Sequence, residues 1–194
     1  MKKTAINSFY CVDALKEHTE LKNKILDCID QISITSETSW SAKNNYYTDS
    51  ITKLDWNMGN DFTRPWVKLF LPSFMNKLEA MFNHLGYHGV KLNDVWFQQY
   101  YKGDTHGWHI HGSTFTGVYY LEFNDQSPCT QLLDPFNQNE IITVDVKEGD
   151  LLVFPSFIIH RAPEITVDQR KTIISFNIDL EYITEKMRKS LHGR

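Results

Sequence analysis

The sequence predicts a mainly β chain with helices in front, an α+β arrangement whose strand-rich part is a jelly roll or barrel. Two patterns predict it. Apolar side chains repeat at helical spacing up to Gly86, whereas beyond it short runs of Val, Ile, Tyr, Phe and Trp are cut by Gly, Asn, Asp and Pro. A third observation gives the strands something to hold: His109 and His111, one residue apart, are followed 49 residues later by His160. Side chains alternate across a strand, so a His-x-His pair sends both imidazoles to one face, and a histidine from a distant strand completes a metal site that keeps open positions.

The elements follow in order. From Asp13, an N-cap residue, Leu15, Leu21, Ile25, Leu26, Ile29 and Ile32 form one stripe of an amphipathic helix. A polar excursion from Ser33 to Asp61 with short extended pieces comes next. Phe70, Leu71, Phe74, Met75, Leu78, Met81, Phe82 and Leu85 mark a second helix that starts near Leu71 or Pro72 and is capped by Gly86. About eight strands are then expected, near Val90 to Tyr101, Gly107 to His111, Thr116 to Phe123, Thr130 to Leu133, Glu140 to Val146, Leu151 to Phe154, Phe157 to His160 and Lys171 to Leu180. Strands this evenly spaced favour a jelly roll over an alternating helix-and-strand sheet. The expectation is one domain, with a helical support region over 1–89, the β core over 90–180 and a charged tail over 181–194.

Composition bounds the function. With 194 residues, 41% hydrophobic and 13% aromatic, the chain can bury a full core. Its net charge of −4 and the absence of a basic run give no reason to expect nucleic acid as a partner. Cys11, Cys28 and Cys129 are an odd number without C-x-x-C spacing, which reads as reduced packing thiols in a cytoplasmic protein. No apolar run approaches a membrane span or the core of a signal peptide.

The motifs also occur in a particular order: Trp108-His109-Ile110-His111, then Ser113 to Glu122 with Gly117-Val118-Tyr119-Tyr120, then Gly149 to Ser156 leading to His160, then Arg170-Lys171-Thr172 to Asn177. This order resembles the iron(II) and 2-oxoglutarate-dependent dioxygenases, and more narrowly a group of small oxygenases with an H-x-H motif before S-G-V-Y-Y. The resemblance spans Trp96 to Asp179. It implies a double-stranded β-helix, cupin-like, with helices packed on one sheet. It implies that His109, His111 and His160 hold Fe(II), that 2-oxoglutarate and O2 are cosubstrates, and that a C–H bond is hydroxylated as 2-oxoglutarate becomes succinate and CO2. His111 stands where most of the superfamily has a carboxylate, which leaves the ligand set one negative charge short.

The same resemblance asks for a cation some ten residues beyond the distal histidine to grip the cosubstrate's far carboxylate. Arg170 and Lys171 compete, since neighbours on a strand face opposite ways; Arg170 is preferred for its bidentate fork, with Thr172 beside it. Tyr120 matches a tyrosine that donates to that carboxylate in the prolyl hydroxylase branch, and Asn177 is a further pocket residue. His106, Gln99 and Thr116 are candidates to support the ligands. Trp96, Phe97 and Trp108 are expected in the core, and Asp134 in a turn.

Two other functions compete. A cupin-like dioxygenase with three histidines needs no 2-oxoglutarate and so no clamp near Arg170. A non-catalytic jelly roll that binds a ligand or builds an assembly needs neither. The substrate, a small molecule, peptide or protein side chain, has no motif here, and a homodimer is compatible with an apolar helix and an edge strand.

Overall fold

A computed structural model describes residues 7–43, 48–137, 139–182 and 189. The tail over 181–194 and His192 thus fall largely or wholly outside the described residues. The elements run β1 (Cys11–Ala14), α1 (His18–Asp30), β2 (Trp40–Lys43), β3 (Thr48–Ile51), β4 (Lys53–Leu54), a 3-10 turn (Trp56–Met58), α2 (Pro65–His84), β5 (His88–Tyr100), β6 (His106–His109), β7 (Phe115–Glu122), β8 (Gln131–Leu133), β9 (Ile141–Thr143), β10 (Asp150–Pro155), β11 (His160–Ala162) and β12 (Lys171–Tyr182). Six strands form a major sheet in the order β1-β10-β7-β12-β5-β4. Four form a minor sheet in the order β6-β11-β8-β9, and β2-β3 is a separate hairpin. Strand pairing is antiparallel, and the two facing sheets make the expected double-stranded β-helix with helices on one side.

Strand alternation divides the interior into two cores. Side chains of one parity (Phe97, Tyr119, Leu121, Val153, Ile174, Phe176) meet Ile25 and Ile29 of α1 and Trp66, Phe70, Phe74 and Leu78 of α2. The other parity (Tyr100, Val118, Tyr120, Leu152, Phe154, Ile173) points between the sheets toward Leu132, Ile158 and Ile165. On the helical side Phe70 stacks on Phe74 and Tyr119, with ring centroids 4.5 and 5.2 Å apart, and Phe74 meets Phe176 edge-on at 4.8 Å.

Several expected boundaries move for identifiable reasons. Asp13 is no N-cap: Cys11 to Ala14 pair with Val153 to Asp150 as an edge strand, and helix α1 begins only at His18. Helix α2 starts at Pro65, ahead of the expected Leu71 or Pro72, with Pro65 in its first turn and Pro72 in its interior, where one backbone donor is lost to the ladder. The residues expected to form a helical support also supply β1 and β4, the two outer strands of the major sheet. The segment from Phe157 is a turn closed by Ile158 N–H to the Pro155 carbonyl (3.0 Å), so β11 starts at His160 itself. No described helix is long and apolar enough to cross a membrane, and the three cysteines are free.

Candidate metal centre and cosubstrate pocket

The three histidines come together where the two short strands of the minor sheet meet. His160 opens β11 opposite His109, which ends β6. His111 lies two residues past that end, held by its N–H to the Ser156 carbonyl (3.1 Å). One ring nitrogen from each of the three lies within 4.8 Å of the others, a spacing one metal ion can bridge. Their chemistry fits that task. His109 Nδ1 donates to the Gly107 carbonyl (2.7 Å) and His160 Nδ1 to the Ile158 carbonyl (3.0 Å), which fixes each tautomer with Nε2 bare as a ligand atom. Burial drives all three toward the neutral form that metals bind. His160 is held well below the ordinary imidazole range by desolvation and then by His109 and His111, His109 is lowered by desolvation, and His111 falls to about 4 through desolvation and then His109.

His106 is not a fourth member of the cluster. Its ring stacks on His109, centroids 3.9 Å apart at 20°, and desolvation lowers it to about 3. It thereby packs His109 in place. Trp96 stacks on His111 (5.9 Å, 18°), and Trp108 lies under the Arg161 guanidinium at 4.5 Å. Both indoles line the cavity beside the histidines: Trp96 is buried as expected, Trp108 is only partly buried and so corrected from core, and Phe97, of the opposite parity, is core.

Behind the histidines a narrow cleft runs between the sheets past Gln98, Thr116, Val118, Ile173 and Ser175 to Tyr100 and Thr130. Lys171, which pairs with Tyr100, lies at this inner end and is wholly buried. Its Nζ donates to the Pro128 carbonyl (2.7 Å) and sits 5.3 Å from the ring of Phe123 and 5.9 Å from those of Tyr100 and Tyr120. Desolvation pulls the ammonium down to about 8. Tyr120 Oη donates to Thr130 Oγ1 (2.6 Å), whereas the buried Tyr100 hydroxyl has no partner among the described residues. An ammonium and an unpaired phenol, both buried, are donors suited to a carboxylate.

Arg170 does not share this place. It faces the opposite side of the major sheet, with Nε and Nη2 on Glu122 (2.6 and 3.2 Å) and Nη1 on Asp30 of α1 (2.7 Å). The preference for Arg170 as the clamp is thus corrected by strand parity: Lys171 is the inward neighbour. Thr172 and Gln99 fall with Arg170. Thr172 Oγ1 donates to Glu122, and Gln99 Nε2 donates to Asp30 and Thr172, so neither reaches the cleft. Gln98 does reach it, accepting from Ser175 Oγ (2.9 Å). Thr116 lines the cleft while its hydroxyl donates to the Phe176 carbonyl, and Asn177 stands at the metal end beside His111, not at the clamp. Asp134 accepts the N–H groups of Phe136 and Asn137 and is a turn residue.

Reading along the sequence missed Gln98, Tyr100 and Thr130. The alternation of β5 from Trp96 could have found the first two, since it places 96, 98 and 100 on one face. It also missed the outer cavity, about 430 Å³, which opens from the histidines toward Trp40, Asp49 and Trp56 in the unread polar excursion.

No family model and no curated protein matches the chain. Solved structures do. A 2OG-Fe(II) oxygenase family oxidoreductase from Burkholderia pseudomallei is 11% identical, covering 88% of this chain and 84% of its own, with a TM-score of 0.67. A prolyl hydroxylase from Trichoplax adhaerens, in complex with a hypoxia inducible factor peptide fragment, is 18% identical over 95% of this chain and 87% of its own, at 0.62. HygX from Streptomyces hygroscopicus, with nickel and 2-oxoglutarate bound, is 8% identical over 92% and 85%, at 0.61. Identities this low speak for architecture: the chain has the double-stranded β-helix fold of the 2OG-Fe(II) oxygenases.

Proposed function

We propose that the protein is an Fe(II)- and 2-oxoglutarate-dependent oxygenase that hydroxylates a C–H bond of its substrate. The observation that carries this reading is a three-imidazole cluster lining one end of a cleft and a buried lysine behind Tyr100, which lines the other. The order of the sequence motifs supports it, and so does the fold shared with oxygenases, one of which holds nickel and 2-oxoglutarate. A cupin-like three-histidine dioxygenase would have no use for an ammonium kept dry at the cleft's end, where it lowers stability without a ligand.

In this reading His109, His111 and His160 would hold Fe(II), which supplies the site for oxygen activation coupled to decarboxylation of 2-oxoglutarate. The chain's own groups do the rest. The Gly107 and Ile158 carbonyls keep two imidazoles aimed, and the stacked rings of His106 and Trp96 stop His109 and His111 from turning. Lys171 would exchange the Pro128 carbonyl for the far carboxylate of the cosubstrate, with the Tyr100 hydroxyl as second donor. The aromatic walls keep water from that ion pair and so strengthen it. The outer cavity receives the substrate beside His111.

Anaerobic titration of the metal-free protein with Fe(II) and then 2-oxoglutarate tests this. A visible charge-transfer band should form, vanish in His160→Ala, weaken at least tenfold in affinity in Lys171→Ala and persist in Arg170→Ala. Iron binding with no band on adding 2-oxoglutarate would instead put the three-histidine dioxygenase ahead.

A further inference from the structure

Four of the chain's five tryptophans, Trp40, Trp56, Trp96 and Trp108, line the outer cavity, and the fifth, Trp66, belongs to the helical core. Two of the four are engaged. Trp96 lies against His111, and Trp108 already carries a cation, the Arg161 guanidinium 4.5 Å from its ring centre. The other two form a corner. Trp40 in β2 and Trp56 in the 3-10 turn meet at 81° with centroids 6.0 Å apart, and remain 41% and 52% exposed. Together they present an exposed aromatic surface in the cavity wall, the kind of patch that marks a ligand groove.

The charge of the wall says what kind of ligand. Among the described residues that line the cavity, Asp49 is the one charged side chain, and no lysine or arginine is present. Asp49 is itself buried, accepting from Trp40 Nε1 (3.2 Å) and from the Gly107 N–H (2.6 Å). Its carboxylate therefore fixes the Trp40 ring and places a negative charge at the ring's N–H edge. Indole faces add the negative side of their quadrupoles. No cation of the lining is offered to an anionic group such as a phosphate, and the Arg161 guanidinium over the Trp108 ring is bonded to Gln131 (2.8 Å). An alkylated ammonium finds aromatic faces on two sides and a carboxylate nearby.

We propose that the Trp40–Trp56 corner is a subsite for an organic cation, a substrate bearing an alkylated ammonium group whose carbon chain reaches toward His111. As a substrate assignment this rests on the oxygenase reading; as a binding site it does not. Fe(II) and the dianion of 2-oxoglutarate carry no net charge together, so cosubstrate loading leaves the preference for a cation in place.

The test compares choline with 3,3-dimethylbutan-1-ol, its uncharged carbon isostere, by NMR of the indole N–H signals. The full chain is loaded with Zn(II), a diamagnetic substitute for Fe(II), and 2-oxoglutarate, at constant ionic strength, and the titration is repeated without either. Choline should bind roughly three- to thirtyfold more tightly than the isostere. That ratio should fall toward one in Trp56→Leu, an exposed position that leaves the fold intact, and Asp49→Asn should weaken choline alone. Equal affinity for both probes, no choline binding, or a ratio unchanged in both Trp40→Leu and Trp56→Leu would overturn the proposal. A preference that survives without metal and cosubstrate supports the subsite even if the charge-transfer band never forms; a band without the preference leaves the oxygenase and removes the subsite.

Discussion

Lys171 carries an ammonium group into a pocket of three aromatic rings where a single backbone carbonyl accepts from it. Desolvation lowers its pKa from 10.5 to about 8, so between those values the unfolded chain holds a proton that the folded chain has released. Stability contributed by this residue therefore rises with pH across that window, while the charge a carboxylate needs is lost in the same direction. Two outcomes are expected. The affinity for 2-oxoglutarate, read from the charge-transfer band, should weaken as pH climbs through about 8. Lys171→Met should likewise weaken 2-oxoglutarate affinity at least tenfold yet raise stability by about 1 kcal/mol in urea melts at pH 7, since removing the buried charge outweighs the orphaned Pro128 carbonyl. A second residue is constrained by space alone. At Gly117 a Cβ would lie 2.3 Å from the Phe176 ring and 2.4 Å from the Leu152 carbonyl oxygen. Backbone on the adjacent strand cannot yield cheaply, so Gly117→Ala should cost about 2–3 kcal/mol by equilibrium unfolding.

Strand β12 shows what could be read from sequence and what could not. Its β-branched and aromatic residues made its existence plain, and the alternation of its side chains was certain from the geometry of any strand. The phase of that alternation was not. Nothing local to Arg170-Lys171 says which neighbour faces in; it is decided by pairing with Tyr100 and with β7, both far away in the sequence. The same uncertainty turned Gln98 into Gln99. The short strands β2 to β4 fall where short extended pieces were expected, whereas β1 was illegible for a related reason: it exists because Val153 and its neighbours offer an open edge, not because Cys11 to Ala14 prefer to be extended. The histidine cluster, in contrast, was legible because its spacing needs only one strand and one distant partner. Arg170, relieved of the clamp, ties α1 to the major sheet through Asp30 and Glu122. These ion pairs are partly exposed, so Arg170→Ala should lower the denaturant midpoint by no more than about 1 kcal/mol in stability and leave cosubstrate binding unchanged.

At the level of the molecule, the histidine cluster couples folding to metal and to acid. Because burial lowers these imidazoles, the unfolded chain takes up protons near pH 6.5 that the folded chain refuses until far lower pH. Stability of the metal-free protein should therefore decline as pH falls from about 6.5 toward 4, a loss measurable by thermal unfolding across that range. A bound ion acts in the opposite sense. At a hundredfold excess over its dissociation constant it adds about 2.7 kcal/mol, which for a chain of this size raises Tm by about 5–10 °C, and a chelator should reverse the shift.

The major sheet is a wall between two tasks, with adjacent letters of each strand written for different readers. Along β12, Ile174 and Phe176 answer to α1 and α2, while Lys171, Ile173 and Ser175 answer to the cleft. A selection for foldedness and a selection for turnover, applied to the same library, would thus tolerate and reject complementary positions, out of step by one residue. New substrates could evolve on one face of the wall while the other keeps the protein standing.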